Sequence, residues 1–300
     1  MGNKAIERIR VFLSGTPKAL NFFVFFVFVV LFVPFVSAQR PQRIISLVPA
    51  LTEMLYAIGA GPQMVAVSSY DQFPPEVNAL PKVGALIDPD TERIFSLKPD
   101  LVVTYGSQTD LHAQLDRASI PFFNYRHGGL THVMATMREL GARTGHATEA
   151  EAAARAIELR IRVIQEGIKG ARRPKTLLVF GREPRTLRNI YASGGRGFLH
   201  DMLEAAGGED IFADIDRESV QATTELILAR APEVILELRS DDIRDRQGIG
   251  MKLEIESWSP LASVPAVKNG RVIILTGNGL VVPGPRVADG VERMAKALHP

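Results

Sequence analysis

One motif occurs twice in this chain, 133 residues apart, and the repetition limits the fold more than any other feature of the sequence. Thr91-Glu92-Arg93-Ile94 runs to Pro99-Asp100-Leu101-Val102-Val103, and Thr224-Glu225-Leu226-Ile227 runs to Pro232-Glu233-Val234-Ile235-Leu236. Each copy reads as a short helix capped by its Thr, with Glu in the first turn, ended ahead of Pro and followed by a buried β-branched strand. Two similar α/β lobes follow. Each carries one glutamate at the same place, where a single partner can grip both.

The first 38 residues differ in texture from the rest. Lys4, Arg8, Arg10 and Lys18 precede an unbroken apolar run from Phe22 to Val33, and Val36-Ser37-Ala38 forms a small-residue site. This is the pattern of a secretory signal peptide. The apolar core of 12 residues is shorter than the roughly 20 that a spanning helix needs. The chain has no cysteine, which rules out disulfides and a lipid-anchored cysteine, so the core alone must hold the fold. Removing residues 1–38 takes away four basic residues of 35 and one acidic residue of 33, leaving 31 against 32. A chain so near neutrality has no electrostatic footprint for nucleic acid.

The remainder alternates short apolar runs with helical stretches, the pattern of parallel sheets with crossover helices. Strands are expected at Arg43 to Val48, Met64 to Ser69, Leu101 to Tyr105, Phe122 to Tyr125, Thr176 to Phe180, Val234 to Leu238 and Val272 to Leu275. Helices are expected at Leu51 to Ile58 and Leu111 to Ala118. From Ala147 to Ile168 the sequence is rich in Ala, Glu, Arg and Ile, with no Gly before Gly167, and predicts one long helix. The expected organisation is an α/β fold: two Rossmann-like lobes with mostly parallel sheets, residues 39–145 and 173–300, joined by a connecting helix within 146–172. A stiff connector permits small rocking and points to a largely preformed crevice between the lobes.

Three segments carry a family resemblance: Arg43-Ile44-Ile45-Ser46-Leu47-Val48-Pro49-Ala50-Leu51-Thr52-Glu53, Ser68-Ser69-Tyr70-Asp71-Gln72-Phe73-Pro74-Pro75, and Leu97-Lys98-Pro99-Asp100-Leu101-Val102-Val103. Gly195-Arg196-Gly197-Phe198-Leu199, Ala206-Gly207-Gly208 and Ile211-Phe212 continue it in the second half. Together they resemble the helical-backbone class of substrate-binding proteins of ABC importers, which carry cobalamin, ferric siderophores or haem. The Ser-Ser-Tyr-x-x-x-Pro-Pro stretch is most similar to the cobalamin-binding members.

The resemblance implies a periplasmic, non-enzymatic protein. It would bind a corrinoid between its lobes as transported ligand, with no resident cofactor, and deliver it to a permease dimer with its ATPase. It places ligand contacts at Pro49, Tyr70, Tyr105, Arg126, Arg182, Tyr191, Ser219 and Asn278. It places permease docking at Glu92 and Glu225, one acid for each membrane subunit. The chain also departs from the cobalamin-binding pattern, having no tryptophan around Ser219 or around Ala85-Leu86, and its one tryptophan is Trp258. Haem-binding relatives place a ligating tyrosine directly after the glycine of Leu80-Pro81-Lys82-Val83-Gly84, where this chain has Ala85.

Ferric siderophore or haem binding remain the alternatives within the class, with Arg126, Arg182 and Arg286 suited to anionic chelates. An exported ligand sensor is the alternative outside transport. Bare-metal capture has little support, because His112, His127, His132, His146, His200 and His299 show no ligand spacing. Ser193-Gly194-Gly195-Arg196-Gly197 lacks the Gly-Lys-Ser/Thr ending of a phosphate-cradling loop, and no Gly-x-Ser-x-Gly elbow is present.

Overall fold

The computed structural model of the protein describes residues 40–240 and 249–300. The expected signal segment lies outside the described residues. In the first lobe, β1 (Ile44–Ser46), β2 (Met64–Val67), β3 (Leu101–Tyr105) and β4 (Phe122–Tyr125) form a wholly parallel sheet in the order β2-β1-β3-β4. Both faces are covered, so the strands read as continuous apolar runs rather than alternating ones. The period of two still sorts the side chains. Ile44, Leu101 and Val103 join one cluster, with α1 (Pro49–Ala57) and α4 (Leu130–Thr144). Ile45 and Val102 join another, which contains Ile94 of α2 (Thr91–Ser96) and Leu111 and Leu115 of α3 (Thr109–Arg117).

The second lobe holds a mixed sheet in the order β10-β9-β5-β6-β8, with β7 paired to β5. The expected strands β5 (Lys175–Gly181), β9 (Val234–Arg239) and β10 (Val272–Thr276) are parallel. Three strands were not foreseen: β6 (Ile190–Ser193), β7 (Glu209–Asp210) and β8 (Ser219–Ala222). They are short, and β6 and β8 run antiparallel to their neighbours with exposed positions on one face, so no apolar run marks them.

The repeated motif has the same backbone conformation in both lobes, with one correction to its cap. Asp90 and Thr223, each one residue before the expected Thr, accept the backbone N–H three positions on, at 3.0 Å from Arg93 and 3.2 Å from Leu226. Glu92 and Glu225 therefore sit in the first turns of α2 and of α7 (Thr224–Arg230). Lys98 and Ala231, the residues before the two prolines, both lie in the left-handed region, with φ of 49° and 47°. The acid after each proline secures the start of the neighbouring strand. Asp100 accepts the backbone N–H groups of Gln42 and Arg43 at 2.7 and 2.8 Å, and Glu233 accepts that of Lys175 at 3.0 Å.

The long helix, α5 (Ala147–Gly167), is not a free-standing rod. Ala150, Ala154, Ile157 and Ile161 form one buried stripe at helical spacing. The helix packs against α4, against α6 (Phe198–Ala205) and against α10 (Val287–Leu298), which comes after α8 (Ile249–Glu256) and α9 (Pro265–Lys268) in the chain. Gly141 of α4 leaves no room for a Cβ beside Ala150, so the two backbones approach closely. One apolar cluster runs from Ile44 and Val103 through Met137, Ile157 and Met202 to Leu178 and Leu236, which makes the core continuous across both lobes. Ion pairs from Arg138 to Glu151 and Glu158, and from Arg160 to Asp289 and Glu292, flank this stripe but are solvent-exposed and contribute little.

Truncating Ile157 to Ala removes a half-way contact of this shared core and should destabilise the protein by about 2–4 kcal/mol. Chemical denaturation should show one transition moved to lower denaturant. Two separated transitions would show that the lobes fold independently.

Candidate functional site

The loops that follow β2, β3 and β4 face the rim of the second lobe, and contacts at two edges bound the crevice between them. At the β2 edge, the side-chain amide of Asn278, beyond β10, donates to Gln72 at 3.1 Å. Arg286, just before α10, makes a bidentate pair with Glu53 of α1 at 2.8 and 2.5 Å, and its guanidinium lies 4.2 Å from the centre of the Phe73 ring. Glu53 is 4% exposed, so burial raises its carboxyl above the ordinary range, and the Arg286 hydrogen bond and charge only partly oppose this. At the other edge, Asp201 of α6 accepts the Leu130 N–H at 2.6 Å, placing a second-lobe carboxylate at the N-terminus of first-lobe α4.

Between these edges lie most of the residues expected from sequence. Pro49 starts α1 and is half-buried. Tyr70 is 72% exposed in the loop after β2, and Tyr105 ends β3. Arg126 follows β4, with its side chain against Gly106. Tyr191 and Ser219 are strand residues, in β6 and β8. They lie with Gln221 on the exposed face of the β6–β8 pair, where Tyr191 is 42% exposed.

Arg182, expected as a ligand contact, is held in an ion-pair network at the wall of a cavity at the ends of β5 and β9. Its side chain is 0% exposed and lies between Glu237 at 3.1 Å and Glu254 at 2.8 Å. It also donates to the Thr186 carbonyl at 2.8 Å and lies 5.4 Å from the centre of the Trp258 ring. Arg239 bridges the same two glutamates, so two cations and two anions neutralise each other inside the lobe. Burial alone would raise Glu254, but the Arg185 N–H and the Arg239 and Arg182 charges hold it below the ordinary carboxylate range. Removing one member would leave an unpaired buried charge, at a cost of about 3–5 kcal/mol.

Tyr105, expected as a contact, gives the crevice its polarity together with Tyr125, His127 and Glu218, and of these Glu218 was not foreseen. Tyr105, Tyr125 and His127 form an aromatic cluster, with ring centres 6.0 Å apart for the two tyrosines and 4.9 and 5.4 Å from each of them to His127. Glu218 of the second lobe acts electrostatically on all three. Burial, with Glu218, raises both tyrosines above their usual range, and burial lowers His127 against the opposing charge of Glu218. Glu218 carries no motif; only its position before β8 brings it here. Two cavities flank the crevice. One of about 350 Å³ is lined by Leu86, Ile87, Pro89 and residues 107–111, and one of about 310 Å³ lies at the ends of β5 and β9. Among the described residues no cluster of three His, Asp or Glu side chains is arranged to hold a metal ion, and no helix is long and apolar enough to cross a membrane.

Two lobes with a shared core, facing each other across an aromatic crevice, define the class. The chain belongs to the periplasmic binding protein family, whose pattern matches residues 44–278. It is 31% identical over 266 residues to the vitamin B12-binding protein of Pectobacterium atrosepticum, covering 86% of this chain and 88% of that one. Its fold matches the periplasmic vitamin B12 binding protein BtuF of Vibrio cholerae with a TM-score of 0.72 and 25% identity, over 86% of this chain and 96% of the other. A periplasmic haem-binding protein of Pseudomonas aeruginosa gives the same TM-score at 24% identity, over 87% and 93% of the two chains, a likeness of fold alone.

Asp71 lies beside Tyr70 and Gln72, is 3% exposed, and neither of its carboxylate oxygens has a hydrogen-bond partner. Burial lifts it to about 6, because the Thr52 hydroxyl, the Lys82 charge and Ser68 only partly offset desolvation. The folded-state value lies above the unfolded one of 3.8, so its contribution to stability is complete below about pH 4 and is lost as pH rises through about 6. Thermal unfolding across pH 4 to 7 should show a decline of up to about 3 kcal/mol in the native protein and a flatter profile in Asp71→Asn. Matching profiles would show that Asp71 is already satisfied.

Proposed function

We propose that the protein is the exported ligand-capture component of an ABC importer, working in the periplasm, and that a corrinoid of the vitamin B12 type lies in its crevice. The observation that carries this reading is an aromatic-lined crevice between lobes of one continuous core, in a chain similar along most of its length to vitamin B12-binding proteins. Tyr70, Tyr105 and Tyr191 would offer aromatic faces to a flat macrocycle, while Pro49, Arg126, Ser219 and Asn278 would fix its polar rim. Arg182 would act at one remove, by holding Glu237, Glu254 and the loop after β5 in place.

Release would depend on the permease. Glu92 and Glu225 are exposed in equivalent first turns, and Glu225 is held below the ordinary carboxylate range by its own backbone N–H and by Thr223. One carboxylate per lobe suits a two-subunit membrane partner bearing arginines, with an ATPase behind it.

Calorimetric titration of the purified protein with cyanocobalamin, a ferric siderophore and haemin in parallel tests the ligand class. Cyanocobalamin is expected to bind most tightly, and binding of either iron chelate in its place would overturn the corrinoid assignment. In cells that rely on this importer, Glu92→Ala combined with Glu225→Ala should abolish uptake while ligand affinity stays within about twofold. Uptake equal to that of the native protein would reject the docking role.

A further inference from the structure

We propose that His127 is an axial ligand: a ring nitrogen of its imidazole coordinates the metal of a tetrapyrrole seated in the crevice whenever one face of that metal is open. The inference rests on the ligand class proposed above and adds the chemical state in which that ligand is held. The step is a ligand exchange without redox change. The imidazole lone pair forms a metal–nitrogen bond, and a metal-bound water leaves.

His127 differs from the other histidines of its surroundings. His112 is bonded to the Thr104 hydroxyl at 2.8 Å, His132 to the Arg126 carbonyl at 3.1 Å and His200 to Asp210 at 3.2 Å. Neither ring nitrogen of His127 makes a hydrogen bond among the described residues, although the ring is held on two sides. It lies at 54° to the Tyr105 ring and at 88° to the Tyr125 ring, so its orientation is set by packing and its nitrogens remain available. His127 is exposed just after β4, and the charge of Glu218 from the other lobe reaches it.

A second observation points to the same place. The Tyr125 hydroxyl is buried in this cluster and has no hydrogen-bond partner, and an orphaned buried polar group is costly unless something completes it. A water or an amide carried by a bound ligand beside His127 would do so. Imidazole is a good donor to cobalt and iron, whereas a protonated phenol is not, which singles out the histidine among the three rings.

The probes are aquocobinamide, a cobalt corrinoid with no appended base, and cyanocobalamin, whose two metal faces are both occupied; haemin forms the iron arm. Aquocobinamide reduced to cobalt(II) and bound to the native protein should show nitrogen superhyperfine splitting in its EPR spectrum. His127→Ala should lose the splitting, and free imidazole should restore it. The same substitution should weaken aquocobinamide binding about tenfold more than it weakens cyanocobalamin binding. Binding of haemin alone, with a histidine-type absorption spectrum lost in His127→Ala, would support the ligation and move the ligand from corrinoid to haem. If cyanocobalamin binds but neither open-faced tetrapyrrole shows a His127-dependent signal, the ligation is wrong and the importer reading stands. If no tetrapyrrole binds at all, the ligand class fails and the ligation with it.

Discussion

The apolar cluster that passes without a break from the first sheet, through α4 and α5, into the second sheet is the constraint on which the rest of the molecule depends. Burial of this kind is non-directional but close-packed, so it fixes the distance between the lobes while leaving their facing loops free to specialise. A connector made of one exposed helix would flex; a connector whose inner stripe is part of both cores resists bending. A continuous core of this kind favours small rocking over wide hinge closure.

Charge is handled differently on the two sides of that crevice. Inside the second lobe, Arg182, Arg239, Glu237 and Glu254 neutralise each other away from water and hold the loop after β5. At the β2 edge, Arg286 joins Glu53 across the lobes while lying against Phe73. By contrast, Tyr105, His127 and the buried Tyr125 cluster without a neutralising partner, within reach of the Glu218 charge. Structural charges are paired and buried, and the groups left unsatisfied gather where a guest would lie. Asp71 combines both, as a buried carboxylate without partners directly beside an exposed tyrosine.

Much of the architecture was legible in the residues. The repeated Thr-Glu-x-Ile and Pro-acid pattern announced two lobes of similar build, and β3, β4 and α5 fall within a residue of where their apolar runs and helix formers place them. The caps were misplaced by one position, because a side chain before the Thr could compete for the same N–H and sequence alone does not show which reaches it. β6 and β8 were invisible, since a half-exposed strand of four residues leaves no apolar run to read.

Function divides along the same line. Local pattern by itself determined the class of fold, the matching positions of the paired glutamates and the lack of disulfides, because all of these depend on neighbours along the chain. Only the tertiary structure decided that Arg182 turns inward, that Glu53 meets Arg286, and that the charge of Glu218 reaches Tyr125 and His127. Those pairings join residues from about 55 to 233 positions apart or cross the crevice, and their partners are chosen by how the sheets and helices pack, a choice that no local spacing records.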